Sequence, residues 1–223
     1  MKRSWRNTLA WTLAVWLIGP GLTQPASAQE NDALRASVTT LFGPTGLITV
    51  PNAYAIAHKR GLVGTHFGPD KSVTADYGLI NGVEVGTSWQ DSGNDLFFNA
   101  KINIVPSNFK GFELGLGVID IADFQKRTFY GIASAEIGVP SAADINKNFV
   151  ALRVHGGFGS GLYKEDFIGG LELLFNRKLS IIGEYNGNEV NAGVRYVHDE
   201  ALRLQAGVQR HGLFFTACYA FNP

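Results

Sequence analysis

From position 61 onward, apolar and polar residues alternate with a period of two, in runs of about eight to ten residues. Side chains point to opposite faces of a strand in turn, so each run reads as a strand with one apolar and one polar face. The stretch 181–198, IIGEYNGNEVNAGVRYVH, shows the pattern twice. After Asn186-Gly187, Val190, Ala192, Val194 and Tyr196 share a face, and Glu189, Asn191, Gly193 and Arg195 share the other. Asn-Gly between two such runs predicts a hairpin through a type I′ turn, which needs φ > 0 at both central residues. Twelve strands are predicted, at 61–68, 72–79, 83–90, 95–104, 112–121, 127–137, 148–158, 167–175, 179–185, 189–197, 201–209 and 213–221. Gly, Asn, Asp and Pro stand where the chain must reverse, as in Gly68-Pro69-Asp70, Asn81-Gly82 and His198-Asp199-Glu200. Longer connections are expected at 138–147 and 159–166. Strands joined to their neighbours by short turns make an all-β, up-and-down antiparallel barrel of about 12 strands (10–12).

The faces decide what surrounds the barrel. The apolar face collects Val83, Val85, Trp89, Leu96, Phe98, Leu114, Leu116, Leu171, Leu173, Leu202 and Leu204, with aromatics such as Phe112, Phe158, Phe167, Tyr185, Tyr196, Tyr219 and Phe221 toward strand ends. The polar face collects Glu84, Lys101, Glu113, Glu136, Arg153, His155, Glu172, Glu184, Arg195 and Arg203. Gly86, Gly115, Gly117, Gly156, Gly170, Gly193 and Gly207 are assigned to that same face. Glycine suits the concave side of a curved sheet, and ions of both signs can pair across a narrow lumen. Aromatic girdles around an apolar band are the exterior of a transmembrane barrel. The charges are therefore expected inside and lipid outside. A soluble barrel has the same alternation with inside and outside exchanged, and would hold an apolar ligand in its interior.

The N-terminus adds a destination. Lys2, Arg3 and Arg6 precede an apolar stretch of about ten residues, and Ala26-Ser27-Ala28 follows. This reads as a secretory signal peptide, 1–28, ahead of a 29–60 segment and a 61–223 barrel domain. A short helix is predicted at 31–37. The formal net charge of zero gives no reason to expect nucleic acid as a partner. Cys218, the lone cysteine, cannot form an internal disulfide. Stability must then come from packing, closed hydrogen bonding or a membrane.

Catalytic chemistry finds little support. His66, His155, His198 and His211, with Ser88, Ser134 and Ser160, could supply a nucleophile and a base, yet none stands in a recognisable motif. No CxxC, HExxH, Walker or dinucleotide motif occurs, and no cofactor or metal is expected. The run Asp144 to Asn148 lacks the glycine and the bidentate glutamate of a calcium loop. The ten charged and histidine side chains of the polar face are instead read as a lumen network. About twelve strands lie between barrels filled by side chains and barrels with an aqueous channel, so the pattern alone leaves the lumen open or filled.

Two stretches carry a family resemblance. FGPTGLITVPNAYAIAHKRG, at 42–61, and TADYGLINGVEVGTSW, at 74–89, resemble the N-terminal region of YjbH-like outer-membrane proteins, which are associated with exopolysaccharide production and export. The resemblance covers about fifty residues. It implies a non-catalytic outer-membrane barrel that supports exopolysaccharide export or envelope biogenesis, with lipid and polysaccharide-export components as partners. A small passive outer-membrane pore is the alternative, followed by the soluble periplasmic barrel. Within 42–53, Gly43-Pro44 and Pro51-Asn52 bracket a short apolar run. That run is read either as a plug in the barrel mouth or as a lead-in strand or rim strap, the latter preferred. The last strand, LFFTACYAF, resembles the C-terminal recognition signal of outer-membrane barrels, apart from the Asn222-Pro223 that follows it.

Overall fold

A computed structural model of the chain describes residues 38–91, 93, 95–104, 112–137, 149–175, 178–210 and 212–222. The expected signal peptide, the 31–37 helix, the 138–147 connection and His211 lie outside the described residues. Two short strands come first, β1 (Val38–Thr40) and β2 (Gly43–Gly46). Twelve longer ones follow: β3 (Gly61–Phe67), β4 (Ser72–Ile80), β5 (Val83–Gln90), β6 (Asp95–Ile104), β7 (Phe112–Ile119), β8 (Thr128–Ile137), β9 (Phe149–Gly159), β10 (Asp166–Phe175), β11 (Leu179–Tyr185), β12 (Val190–Val197), β13 (Leu202–Gln209) and β14 (Gly212–Phe221). Each of the twelve pairs antiparallel with its neighbours in sequence, and β14 returns to β3 in the register Tyr219↔Val63 and Phe221↔Gly61. The result is a closed up-and-down barrel without an edge. Closure is what a lipid environment demands, since no water is present to satisfy a free row of backbone groups.

Alternation sorts the side chains as the sequence pattern predicts. Among the described residues, no outward-facing strand position carries a charged side chain. Aromatics gather at both ends of this apolar band. Tyr77, Phe112, Phe175, Tyr196, Tyr219 and Phe221 lie toward the end where the chain enters and leaves the barrel; Phe67, Trp89, Phe129, Phe158, Phe167 and Tyr185 lie toward the other. Phe158 and Phe167 meet edge to face across β9 and β10, with ring centroids 6.0 Å apart. Two full girdles around an uncharged band make this the fold of a transmembrane β-barrel. The soluble alternative required an apolar interior, and the interior is instead the polar face. Gly156 corrects the face assignment. It lies in register between Ala133 and Gly169, and a Cβ there would meet the Phe167 ring on the outer surface. Gly157 and Gly159 take the inward places beside Arg153 and His155, by the same period of two.

Local chemistry sets several strand ends. β7 stops at Ile119 because Asp120 turns to φ 58°. The Asp120 carboxylate then accepts hydrogen bonds from the backbone of Phe124, Gln125 and Lys126 at 2.8 to 3.1 Å. The β11–β12 hairpin is not the two-residue type I′ turn expected at Asn186-Gly187. Strand pairing ends at Tyr185↔Val190, leaving a four-residue loop. Of the two central residues, only Gly187 has a positive φ, 84°. Asn186 Oδ1 instead accepts from the amides of Asn188 and Glu189, closing an Asx turn. Between β12 and β13, Asp199 accepts from the amides of Ala201 and Leu202, which holds its carboxyl below the usual carboxylate range. The 159–166 connection contains one 3-10 turn, Gly161–Tyr163, with Tyr163 buried.

Candidate functional site: the occupied lumen

Residues 38–57 lie inside the barrel. Leu47, Ile48, Thr49, Val50 and Ala53 are at most 2 % exposed. The chain enters beside Leu62, Cys218 and Ala220, against which Val38 and Ile56 pack. β1 and β2 pair antiparallel, with Thr39 opposite Thr45. A tight tip follows, closed by Leu41 N to Ile48 O and Leu47 N to Val50 O hydrogen bonds of 3.0 and 2.9 Å. The chain then runs back through Pro51 to Ala57 and leaves under β4, where Lys59 N donates to Gly78 O. Gly78 is required there: a Cβ would collide with the Ala57 carbonyl. The segment of 42–53 is thus an inserted hairpin and its return, not a strap across the rim.

This insertion is apolar and uncharged, and it is anchored by its backbone. Glu184, on β11, accepts from the amides of Ile48 (2.8 Å), Thr49 (2.9 Å) and Val50 (3.2 Å) and from Thr49 Oγ1 (2.6 Å). Successive amides of a turn converging on one carboxylate form an anion-binding nest, here filled by the barrel's own side chain. Asn191 Nδ2 donates to Glu184 Oε1 from β12 at 2.8 Å. Glu84, on β5, accepts from Thr45 N (2.8 Å), Thr45 Oγ1 (2.7 Å) and Ile56 N (3.1 Å). Cations take the carbonyls. Lys101 Nζ donates to Thr45 O at 2.9 Å and also to Thr45 Oγ1, and pairs with Glu84 at 3.3 Å. Arg195 donates to Gly46 O and Leu47 O at 2.9 and 3.1 Å. The wall therefore meets the amides of the hairpin with carboxylates and several of its carbonyls with cations.

The sequence-derived network does not form one cluster. Glu136, Arg153, Glu172 and Arg195 form one chain of ion pairs across β8, β9, β10 and β12, with contacts of 2.7, 3.4 and 3.0 Å. Gln205 Oε1 accepts from Arg195 Nε at 2.9 Å and completes its fork. Glu84 and Lys101 form a separate pair, and Glu184 stands apart from both, on the plug tip. Glu113 accepts from Asn103 Nδ2 at 2.7 Å, whose amide also donates to Ala53 O. Arg203 faces the lumen in register with Cys218. His155 Nδ1 lies 2.8 Å from Ser134 Oγ. Among the described residues, this is the nearest approach of a serine to a histidine base. It is sealed beneath the plug: Ala53 N donates to the same Ser134 oxygen, and Tyr54 covers the His155 ring at 6.0 Å. His66 sits between Thr216 and Thr39, at 2.9 and 3.5 Å.

Several lumen residues escaped the sequence reading. Asp76 alternates with Ser72 and Thr74 along β4, so its inward direction was legible. It is 3 % exposed, and neither carboxylate oxygen has a hydrogen-bond partner. Tyr163 comes from the 3-10 turn and donates its hydroxyl to Thr49 O at 3.0 Å, a contact no periodicity announces. Thr45 and Thr49 gain their roles from the insertion itself.

No family model matches the chain, and no curated protein matches it. Among solved structures, a KdgM porin in complex with disordered oligogalacturonate is similar at 9 % identity and a TM-score of 0.51, covering 73 % of this chain and 98 % of that one. A second KdgM porin structure is similar at 8 % identity, with the same TM-score and coverage. At such identity the likeness is one of fold: this chain has a barrel fold similar to that of the KdgM porin.

Proposed function

We propose that this chain is a non-catalytic outer-membrane pore whose lumen is closed by its own 38–57 segment. The observation that carries this reading is the grip of Glu184 on the plug tip, three amides and a hydroxyl on one carboxylate. A barrel filled only for rigidity has no need to hold its filling through a reversible polar latch. Porin-type neighbours support the pore class, and one of them is described in complex with disordered oligogalacturonate. A soluble saccharide is accordingly the proposed class of solute, with export through the general secretory route and outer-membrane lipid around the apolar band. The test is conductance in planar bilayers. The folded full chain should show low basal current, and Glu184→Leu should raise it several-fold. Equal, near-zero currents from both would refute the gated pore.

A second reading, a part in exopolysaccharide export alongside other envelope components, is favoured by one observation. The two stretches that resemble YjbH-like proteins meet in space: Glu84 of the second grips Thr45 and Ile56 of the first. The resemblance thus falls on the plug and its latch. Deleting the protein and finding unchanged exopolysaccharide would remove this second reading and leave the pore untouched.

A further inference from the structure

The plug hides an imbalance of charge in the wall. Among the described residues, the strand side chains that face the lumen include six carboxylates, Asp76, Glu84, Glu113, Glu136, Glu172 and Glu184, against four cations, Lys101, Arg153, Arg195 and Arg203. The plug itself, 38–57, contains no Asp, Glu, Lys or Arg. It neutralises nothing by charge. It masks Glu84 and Glu184 with amide and hydroxyl hydrogens, and Lys101 and Arg195 with carbonyl oxygens.

Withdrawal of the plug leaves the ion pairs of the wall in place and acts most on two carboxylates. Arg153 and Arg195 keep Glu136 and Glu172 as wall partners, and Lys101 keeps Glu84. Glu184 loses four donors and retains Asn191. Asp76 already lacks a hydrogen-bond partner and stands beside Gly86, where a side chain larger than hydrogen would collide with it. These two carboxylates lie on β4 and β11, on different parts of the wall. They become solvated negative groups lining an opened path.

We infer that the opened lumen selects cationic and uncharged solutes and rejects acidic ones, with Asp76 and Glu184 as its selectivity-determining residues. The inference rests on the pore reading above and narrows its solute class to neutral or positively charged saccharides and small cations. An acidic oligosaccharide such as oligogalacturonate is excluded as cargo. A narrow path lined by one sign in low-dielectric walls concentrates the opposite ion.

The experiment uses the full chain in planar bilayers under a KCl gradient. Gly46→Leu opens the path without touching the wall, because a side chain there collides with Val50 O and Pro51 Cα in the plug tip. The zero-current potential should show K+ permeating roughly ten-fold more readily than Cl− at low salt. The preference should shrink toward 1 M salt, where the screening length is about 3 Å. Asp76→Asn and Glu184→Gln, each added to Gly46→Leu, should each lower the ratio, and together should abolish it. A neutral maltooligosaccharide should interrupt the current, and oligogalacturonate at equal concentration should not. Should Gly46→Leu fail to give a heat-modifiable barrel, openings of the unaltered chain under raised voltage supply the same potential. Chloride preference, or no preference, would overturn the inference while leaving the pore standing. A folded barrel that passes no current in either form would remove the pore reading, and the inference with it.

Discussion

The barrel wall and the plug are both made of β-structure, yet they are held by different forces. The wall closes through a continuous backbone ladder, twelve strands around with β14 against β3. Its backbone is paired strand to strand all the way around, and its outer side chains need only be apolar. The plug has a ladder of three residue pairs between β1 and β2. Beyond that ladder and the backbone hydrogen bonds that close its tip, its backbone is held by side chains of the wall, among them Glu84, Glu184, Lys101, Arg195, Asn103, Asn99 and Ser134. Side-chain hydrogen bonds to ions are strong when dry and are replaced by water when the site is wetted. The wall is thus a permanent structure, while the plug has a set of separable polar anchors. The same barrel can lose one without losing the other.

Breaking the largest anchor should separate the two most clearly. Glu184→Leu leaves three amides and a hydroxyl of the plug tip without an acceptor, and removal of one partner of a buried charged cluster costs about 3–5 kcal/mol. A cysteine introduced at Thr49 should then become reactive to a soluble thiol reagent, while heat-modifiable migration of the wall persists. If the wall and the plug melt together, the two are one cooperative unit.

The opposite break is made from outside. Leu171 lies mid-strand on the lipid face of β10. Leu171→Arg should destabilise the wall by about 2–4 kcal/mol, against about 0–1 kcal/mol for Leu213→Arg near the end of β14. Urea titration of the protein folded in lipid vesicles measures both. Equal effects would place lipid elsewhere than around this face.

A smaller cut sharpens the chemistry of the lumen. Ser134→Ala removes the acceptor of the Ala53 amide, for about 1–3 kcal/mol. It should loosen the plug, measured by the same Thr49 cysteine reagent rate, and leave no ester-hydrolase activity to lose. Loss of a measurable hydrolysis on this substitution would make the Ser134–His155 pair catalytic. The smallest effect is expected at Gly82→Ala. Its φ of 77° asks an L side chain to sit in the left-handed region, at about 1–2 kcal/mol. That loss should appear as faster hydrogen exchange confined to the β4–β5 turn.

The hairpin at 181–198 shows how far the sequence reaches. Its alternation places Glu184 and Arg195 on one face and Val194 and Tyr196 on the other, and the structure keeps that division on both strands. The turn between them was less legible. Asn-Gly marks a reversal, but the Asn186 carboxamide bonded forward along the chain and lengthened the loop to four residues. Gly156 failed for a related reason. A glycine has no polarity to betray its face, so only its parity with Arg153 and His155 places it.

Alternation is local, and a period of two follows from the backbone of each strand alone. The sequence by itself therefore determined the strands, their inner and outer faces, the belt of aromatics and the polar character of the lumen. It could not determine that Glu136, Arg153, Glu172 and Arg195 join in one chain while Glu184 turns to the plug. Those partners are set by strand register and barrel closure, which bring together positions far apart in the chain. Nor could it place 38–57 inside. That segment has no charge and too short an alternation to reveal a partner, and its polar groups are backbone amides and carbonyls that every residue carries. Only the closed wall, with carboxylates and cations aimed into one dry space, decided what those groups would meet.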